Sequence, residues 1–128
     1  MGAIKSVRVH RDARGCVFEP LNGDELVAQS NVHVAITEPG AVRGNHRHAR
    51  GTEVLTLIGP ALVRTRVDGV LRDTHVAADE VVRFTFPPGV AHAVQNTSDR
   101  PQVLVSFNTV AHDPAEPDVI GDVLIATS

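Results

Sequence analysis

The stretch Gly40-Ala-Val-Arg43-Gly-Asn-His46-Arg-His48-Ala-Arg-Gly-Thr-Glu53 decides how the rest of the chain is read. In extended backbone, residues two apart share a face. On a strand, His46 and His48 therefore project in parallel. Glu53 follows a short Gly-containing turn and stands early in the next apolar run. Imidazoles converging with a carboxylate form a divalent-metal constellation of borderline softness. A second stretch, Pro87-Pro-Gly89-Val-Ala-His92-Ala-Val-Gln-Asn96, turns and delivers a third histidine onto a new strand.

Outward from this pair the chain reads as short strands separated by turn residues. Residues 4–9 alternate weakly, with Lys5 and Arg8 outward. Gly15 marks a hairpin corner, Pro20 ends the extended piece after it, and residues 21–25 read as a polar turn. In residues 29–37, Val32, Val34 and Ile36 share one face, and Asn31, His33 and Ala35 the other. Alternation does not say which face is inside, so His33 points either into a lumen or to solvent. Gly59-Pro60 ends the apolar run 54–58. Asp68-Gly69 joins residues 61–67 to 70–76, because both central positions of a type I′ hairpin turn need positive φ. Arg64 and Arg66 share a face there, as a solvated edge or as an anion-facing pair. Strands follow at 81–86, 91–96 and 103–108, then a loop with two prolines at 112–117 and an edge strand at 119–126. This spacing, without a good helical period, predicts an all-β barrel or sandwich in one domain, 1–128.

Composition narrows the function classes. A net charge of −3 and a pI near 6.1 argue against a nucleic-acid partner. Trp and Tyr are absent, which removes the usual platform for base stacking. The lone Cys16 forms no intrachain disulfide and reads as a small buried apolar residue. No stretch is apolar for long enough to cross a membrane and no N-terminal apolar run is present, so a reduced, cytoplasmic protein is expected. His10, His75 and His112 have no partner at ligand spacing and read as surface residues.

Gly40, His46, His48, Glu53 and Gly59 resemble the first cupin motif, with the last gap one residue short. Pro87, Gly89, His92 and Asn96 resemble the second, with Val81 where a Gly usually opens it. The resemblance implies a cupin jelly-roll barrel and a metal held by His46, His48, Glu53 and His92. Three imidazoles and a carboxylate would leave room on a divalent ion for water or substrate. Mixed nitrogen and oxygen ligation suits zinc, iron, manganese, nickel or cobalt, and zinc is the expectation. The competing reading is that the four side chains merely satisfy one another in a polar pocket.

A closer likeness covers almost the full length. Asp12-x-Arg14-Gly15-x3-Glu19 and Arg43-Gly44-x-His46 resemble sugar-nucleotide 3,5-epimerases, and residues 107–118 resemble the cupin domain of bifunctional capsular-polysaccharide enzymes. The resemblance implies a metal-dependent epimerase or isomerase acting on a nucleotide-linked 4-keto-sugar as its small-molecule substrate. Arg14 and Glu19 would bind the nucleotide, in this family often across a dimer interface, and Arg43 a diphosphate oxygen. His33 is the candidate base. One departure is plain: metal-free epimerases use a histidine at the position of His46 as base with a tyrosine as acid, and this chain has no tyrosine. A homodimer is expected through exchange of the N-terminal strand. An iron dioxygenase, a polyketide cyclase and a non-catalytic small-molecule-binding cupin are the alternatives, since fold does not choose among them.

Overall fold

Period-two alternation builds nearly every element of the computed structural model, which describes residues 3–127. In chain order these are β1 (Ile4–Ser6), β2 (His10–Asp12), β3 (Gly15–Val17), α1 (Gly23–Val27), β4 (Asn31–Thr37), β5 (Val42–His48), β6 (Glu53–Ile58), β7 (Ala61–Val67), β8 (Val70–Val76), β9 (Val81–Phe86), β10 (Ala91–Asn96), β11 (Gln102–Asn108) and β12 (Val119–Gly121). One five-stranded antiparallel sheet runs β1-β9-β6-β11-β4, and a second runs β12-β5-β10-β7-β8. β2 and β3 form a separate hairpin.

The two large sheets face each other as a cupin jelly roll. Leu55, Leu57, Val82, Phe84, Phe86 and Leu104 of the first sheet pack on Ala61, Val63 and Val94 of the second. Two five-stranded antiparallel ladders facing each other are consistent with the jelly roll expected from sequence. Register sets which inward residues stand abreast: Asn108, Glu53 and Phe86 make one row of the first sheet, and His33, Ser106, Leu55 and Phe84 make the next.

Several sequence expectations are corrected. Residues 21–25 are not a plain turn, because α1 forms there. The Asn22 side chain accepts from the backbone N–H of Gly23, and Asp24 and Glu25 stand in the first turn, where the helix dipole favours negative charge. The first strand ends at Ser6 rather than at residue 9, and β1 pairs with β9 of its own chain. The last strand ends at Gly121; residues 122–125 continue as a strap over the outer face of the second sheet, where Leu124 and Ile125 are buried against Ala91 and Ala93. Cys16 is exposed on the hairpin, not buried. Arg64 is paired with Asp73, its cross-strand neighbour, and Arg66 with Asp122, so neither is a bare anion-facing charge.

The open question about β4 is resolved. Val32, Val34 and Ile36 are 56%, 61% and 60% exposed on the outer face, whereas Ala35 and His33, the latter itself exposed, line the cavity that His46 and His92 also line. No helix among the described residues is long and apolar enough to cross a membrane.

Candidate metal centre

β5 carries three inward side chains that simple alternation would not align. His46 and His48 are two apart and share a face, but Arg43 is three before His46 and would point outward on a regular strand. A bulge changes this. His92 pairs with His46 while the next residue, Ala93, pairs with Gly44, so Asn45 is an extra residue in the ladder. Gly44 and Asn45 have φ of 87° and 57°. A Cβ at Gly44 would lie 2.8 Å from the His92 carbonyl oxygen, so the close approach and the positive φ both require glycine there. Arg43 and His46 consequently line one cavity.

One ligand atom from each of His46, His48, Glu53 and His92 lies within 4.8 Å of the others. The sequence expected these four to meet, and they do. Glu53 Oε1 is the hub: His48 Nε2 stands 2.7 Å away, His92 Nε2 3.0 Å and His46 Nε2 3.7 Å. Each of the two deepest rings is fixed from its far side. His92 Nδ1 donates to the Val90 carbonyl at 3.0 Å, and its ring lies flat on Phe86, with centroids 4.0 Å apart and planes 4° apart. His48 Nδ1 faces Asp118 Oδ2 at 3.5 Å, beside Asn108 Nδ2 at 3.4 Å. A carboxylate or carbonyl behind the imidazole is the usual support of a metal-ligating histidine.

The arrangement fits a cation for a specific reason. The Val90 oxygen can only accept, so the hydrogen of a neutral His92 is on Nδ1 and Nε2 carries a lone pair. That lone pair faces a carboxylate oxygen at 3.0 Å. Two buried acceptors at this distance need a proton or a metal ion between them. Burial alone would raise the Glu53 carboxyl, but the imidazoles of His46, His48 and His92 outweigh it and hold the group far below the ordinary carboxylate range. His48 shows the reverse balance: burial disfavours its charge, yet Glu53 and Asp118 together shift its pKa upward.

His46, Glu53 and His92 of the cluster line a cavity of about 190 Å³ whose wall also includes His33, Arg43, Leu55, Val94 and Leu104. Arg43 donates to Thr37 Oγ1 at 3.2 Å and to the Ile36 carbonyl at 3.0 Å. A smaller cleft of about 70 Å³ opens on the β1 and β8 side and includes Phe86 in its lining. Arg14 and Glu19 are not among the residues lining the cluster's cavity. Arg14 pairs with Asp12 on the exposed hairpin, and Glu19 accepts from Asn22. His10, His75 and His112 are exposed, as expected.

Sequence reasoning missed the supporting residues. Ser106 Oγ donates to Glu53 Oε2 at 2.7 Å. Asp118 accepts from the backbone N–H groups of Arg50 and Gly51 and faces His48. Burial raises the Asp118 carboxyl, but those N–H donors and the Arg50 guanidinium lower it more. Strand parity signals Ser106, which shares a face with Leu104 and Asn108. Nothing local signals Asp118, 70 residues from His48 in the chain.

Comparison with known proteins adds the relatives. The family described as "Polysaccharide biosynthesis C-terminal domain" matches residues 10–120. The chain is 22% identical over 125 residues to the spore coat polysaccharide biosynthesis protein SpsL of Bacillus subtilis, covering 90% of this chain and 83% of SpsL. The capsular polysaccharide assembling protein CapF of Staphylococcus aureus superposes with a TM-score of 0.69 at 24% identity over 92% of this chain, which spans only 33% of the CapF chain. QdtA, a sugar 3,4-ketoisomerase from Thermoanaerobacterium thermosaccharolyticum solved with TDP, gives 0.71 at 18% identity over 93% of this chain and 86% of QdtA. At these identities the structural likeness establishes the shared fold.

Proposed function

The chain belongs to the polysaccharide biosynthesis C-terminal domain family, and we propose that it is a metal-dependent cupin that epimerises or isomerises a nucleotide-linked 4-keto-sugar. The observation that carries this is the four-residue cluster, three of whose members line a cavity that a guanidinium, Arg43, and an imidazole, His33, also line. His46, His48, Glu53 and His92 would hold the ion, zinc in our reading. Bound there, a divalent ion supplies Lewis-acid polarisation of a carbonyl oxygen. The chain has no tyrosine to donate a proton to that oxygen, which is why the reading calls for a metal.

The remaining roles follow from the side chains. His33 Nδ1 lies 3.3 Å from Asn31 Oδ1. With Nδ1 donating to that oxygen, Nε2 keeps its lone pair and takes the proton from the carbon beside the carbonyl. A proton delivered by solvent to the opposite face of that carbon gives the epimer, with His33 losing its proton to solvent; return of the proton by His33 to the former carbonyl carbon gives the isomer. Arg43 has Nε and one terminal nitrogen engaged with Thr37 and Ile36, and its other terminal nitrogen serves a diphosphate oxygen. Arg14 and Glu19 would meet the nucleotide from the partner subunit of a homodimer. The TDP bound to QdtA and the capsular and spore-coat contexts of CapF and SpsL support this substrate class.

The test is exchange. Metal-loaded protein in deuterium oxide, given a UDP- or dTDP-4-keto-sugar, is expected to place deuterium on the carbon next to the carbonyl. Oxygen consumption with bound iron and no exchange would replace this reading with a dioxygenase. Binding without exchange or turnover would replace it with a binding module.

A further inference from the structure

We propose that the C-terminal strap, residues 122–125, is the device that positions His46, with Asn45 as its latch. The three histidines of the cluster are not held alike. The His48 and His92 side chains are 10% and 2% exposed and have partners behind their rings. His46 is 25% exposed, stands 3.7 Å from Glu53, and has no ring-nitrogen hydrogen bond among the described residues. Its ring meets those of His48 and His92 only edge-on, with centroids 5.1 and 4.8 Å away, so its place depends on how its backbone is held.

That backbone is fastened on both sides of His46 to one segment. Asn45 Oδ1 accepts from the N–H groups of Leu124 and Ile125 at 2.9 and 3.0 Å, and its Nδ2 donates to the Ile125 carbonyl at 2.9 Å. The Asn45 carbonyl accepts from the Asp122 N–H at 2.8 Å. Arg47, on the other side, pairs with Asp122, which Arg66 also holds. Leu124 and Ile125 pack on Ala91 and Ala93, the neighbours of His92. The bulge that turns Arg43 and His46 into one cavity is therefore locked from the far face of the sheet. The strap does for His46 what ring hydrogen bonds do for the other two histidines.

This deepens the metal-centre reading and rests on it only for the cobalt measurement below. Asn45→Gly keeps the positive φ and removes the latch, whereas Asn45→Asp keeps the oxygen that accepts from Leu124 and Ile125. In metal-free protein at fixed pH, Asn45→Gly is expected to move and broaden the His46 ring resonances while those of His48 and His92 stay in place. In cobalt-loaded protein, Asn45→Gly is expected to alter the ligand-field bands and to weaken Co²⁺ binding about tenfold, the loss typical of an outer support. Asn45→Asp keeps the two bonds from Leu124 and Ile125 but sets an oxygen against the Ile125 carbonyl, so it is expected to recover both signals in part. Asp122→Asn, which cuts both ion pairs and leaves the core intact, is expected to move the same His46 resonances. His46 resonances unmoved in both Asn45→Gly and Asp122→Asn would overturn the inference. Absence of cobalt binding by the wild type would overturn the metal reading, and the ring resonances would still decide the strap.

Discussion

Ser106 Oγ holds Glu53 Oε2 at 2.7 Å, which turns the other oxygen, Oε1, toward the three imidazoles. Both residues are buried, and their strands β11 and β6 are neighbours, so the contact is built into the ladder. Ser106→Ala is expected to leave a buried carboxylate oxygen without a donor and to destabilise the fold by about 1–3 kcal/mol. Thermal or urea unfolding of metal-free protein measures this. A variant as stable as wild type would show that the contact adds nothing.

His48→Ala is expected to empty the centre while the jelly roll still folds. The ring offers one nitrogen to the proposed centre, but the main hydrophobic core does not include it. Elemental analysis should give a metal stoichiometry near zero, with an unchanged far-ultraviolet circular dichroism spectrum. Full metal content in this variant would contradict the four-ligand centre.

The metal-free protein should have a stability optimum set by the cluster. Glu53 is lowered from 4.5, so its contribution is present above that value and fades as pH falls through the lower folded value. His48 is raised from 6.5, so its contribution is complete below that value and is lost as pH rises through the higher folded value. The cluster therefore stabilises the chelator-treated protein most between 4.5 and 6.5. Added metal should remove the alkaline decline, because it replaces the proton shared by the buried acceptors. Melting temperature against pH, with and without metal, reads both limbs.

Gly51→Ala is expected to loosen the support of His48. A Cβ there would lie 2.2 Å from Asn108 Oδ1 and 2.9 Å from Asp118 Oδ2, so both groups behind the ring must shift. Calorimetric titration should show metal affinity reduced by about tenfold or more. Unchanged affinity would mean that neither Asn108 nor Asp118 matters to the ligand.

Arg43→Met and His33→Asn should separate binding from chemistry. The first is expected to weaken binding of the nucleoside diphosphate moiety and to leave metal content intact. The second should bind nucleotide and metal normally and fail to exchange deuterium. Calorimetry with UDP or dTDP and exchange assays divide the two roles, and exchange by His33→Asn at the wild-type rate would remove His33 as the base.

The convergence of His46, His48, Glu53 and His92 was legible in the sequence because two-residue spacing and turn glycines are local signals. His46 and His48 needed only strand parity, and His92 only the Pro-Pro-Gly turn before it. Arg43 was a different case. Its inward aim depends on Asn45 being an extra residue, which alternation counting cannot include, although Gly44-Asn45 is a pair suited to positive φ. α1 spans five residues, too few to show a 3.6-residue period. The strap escaped because its apolar residues, Val123, Leu124 and Ile125, look like strand, whereas Asn45 satisfies the Leu124 and Ile125 backbone with a side chain.

The flat stack of Phe86 on His92 separates the larger cavity from the cleft on the β1 and β8 side. The cavity beside the cluster reaches the surface at His33 and Arg43, both exposed. Trimming Phe86 would join that cavity to the cleft behind it, and a small solute such as a chelator would then reach the imidazoles from either side.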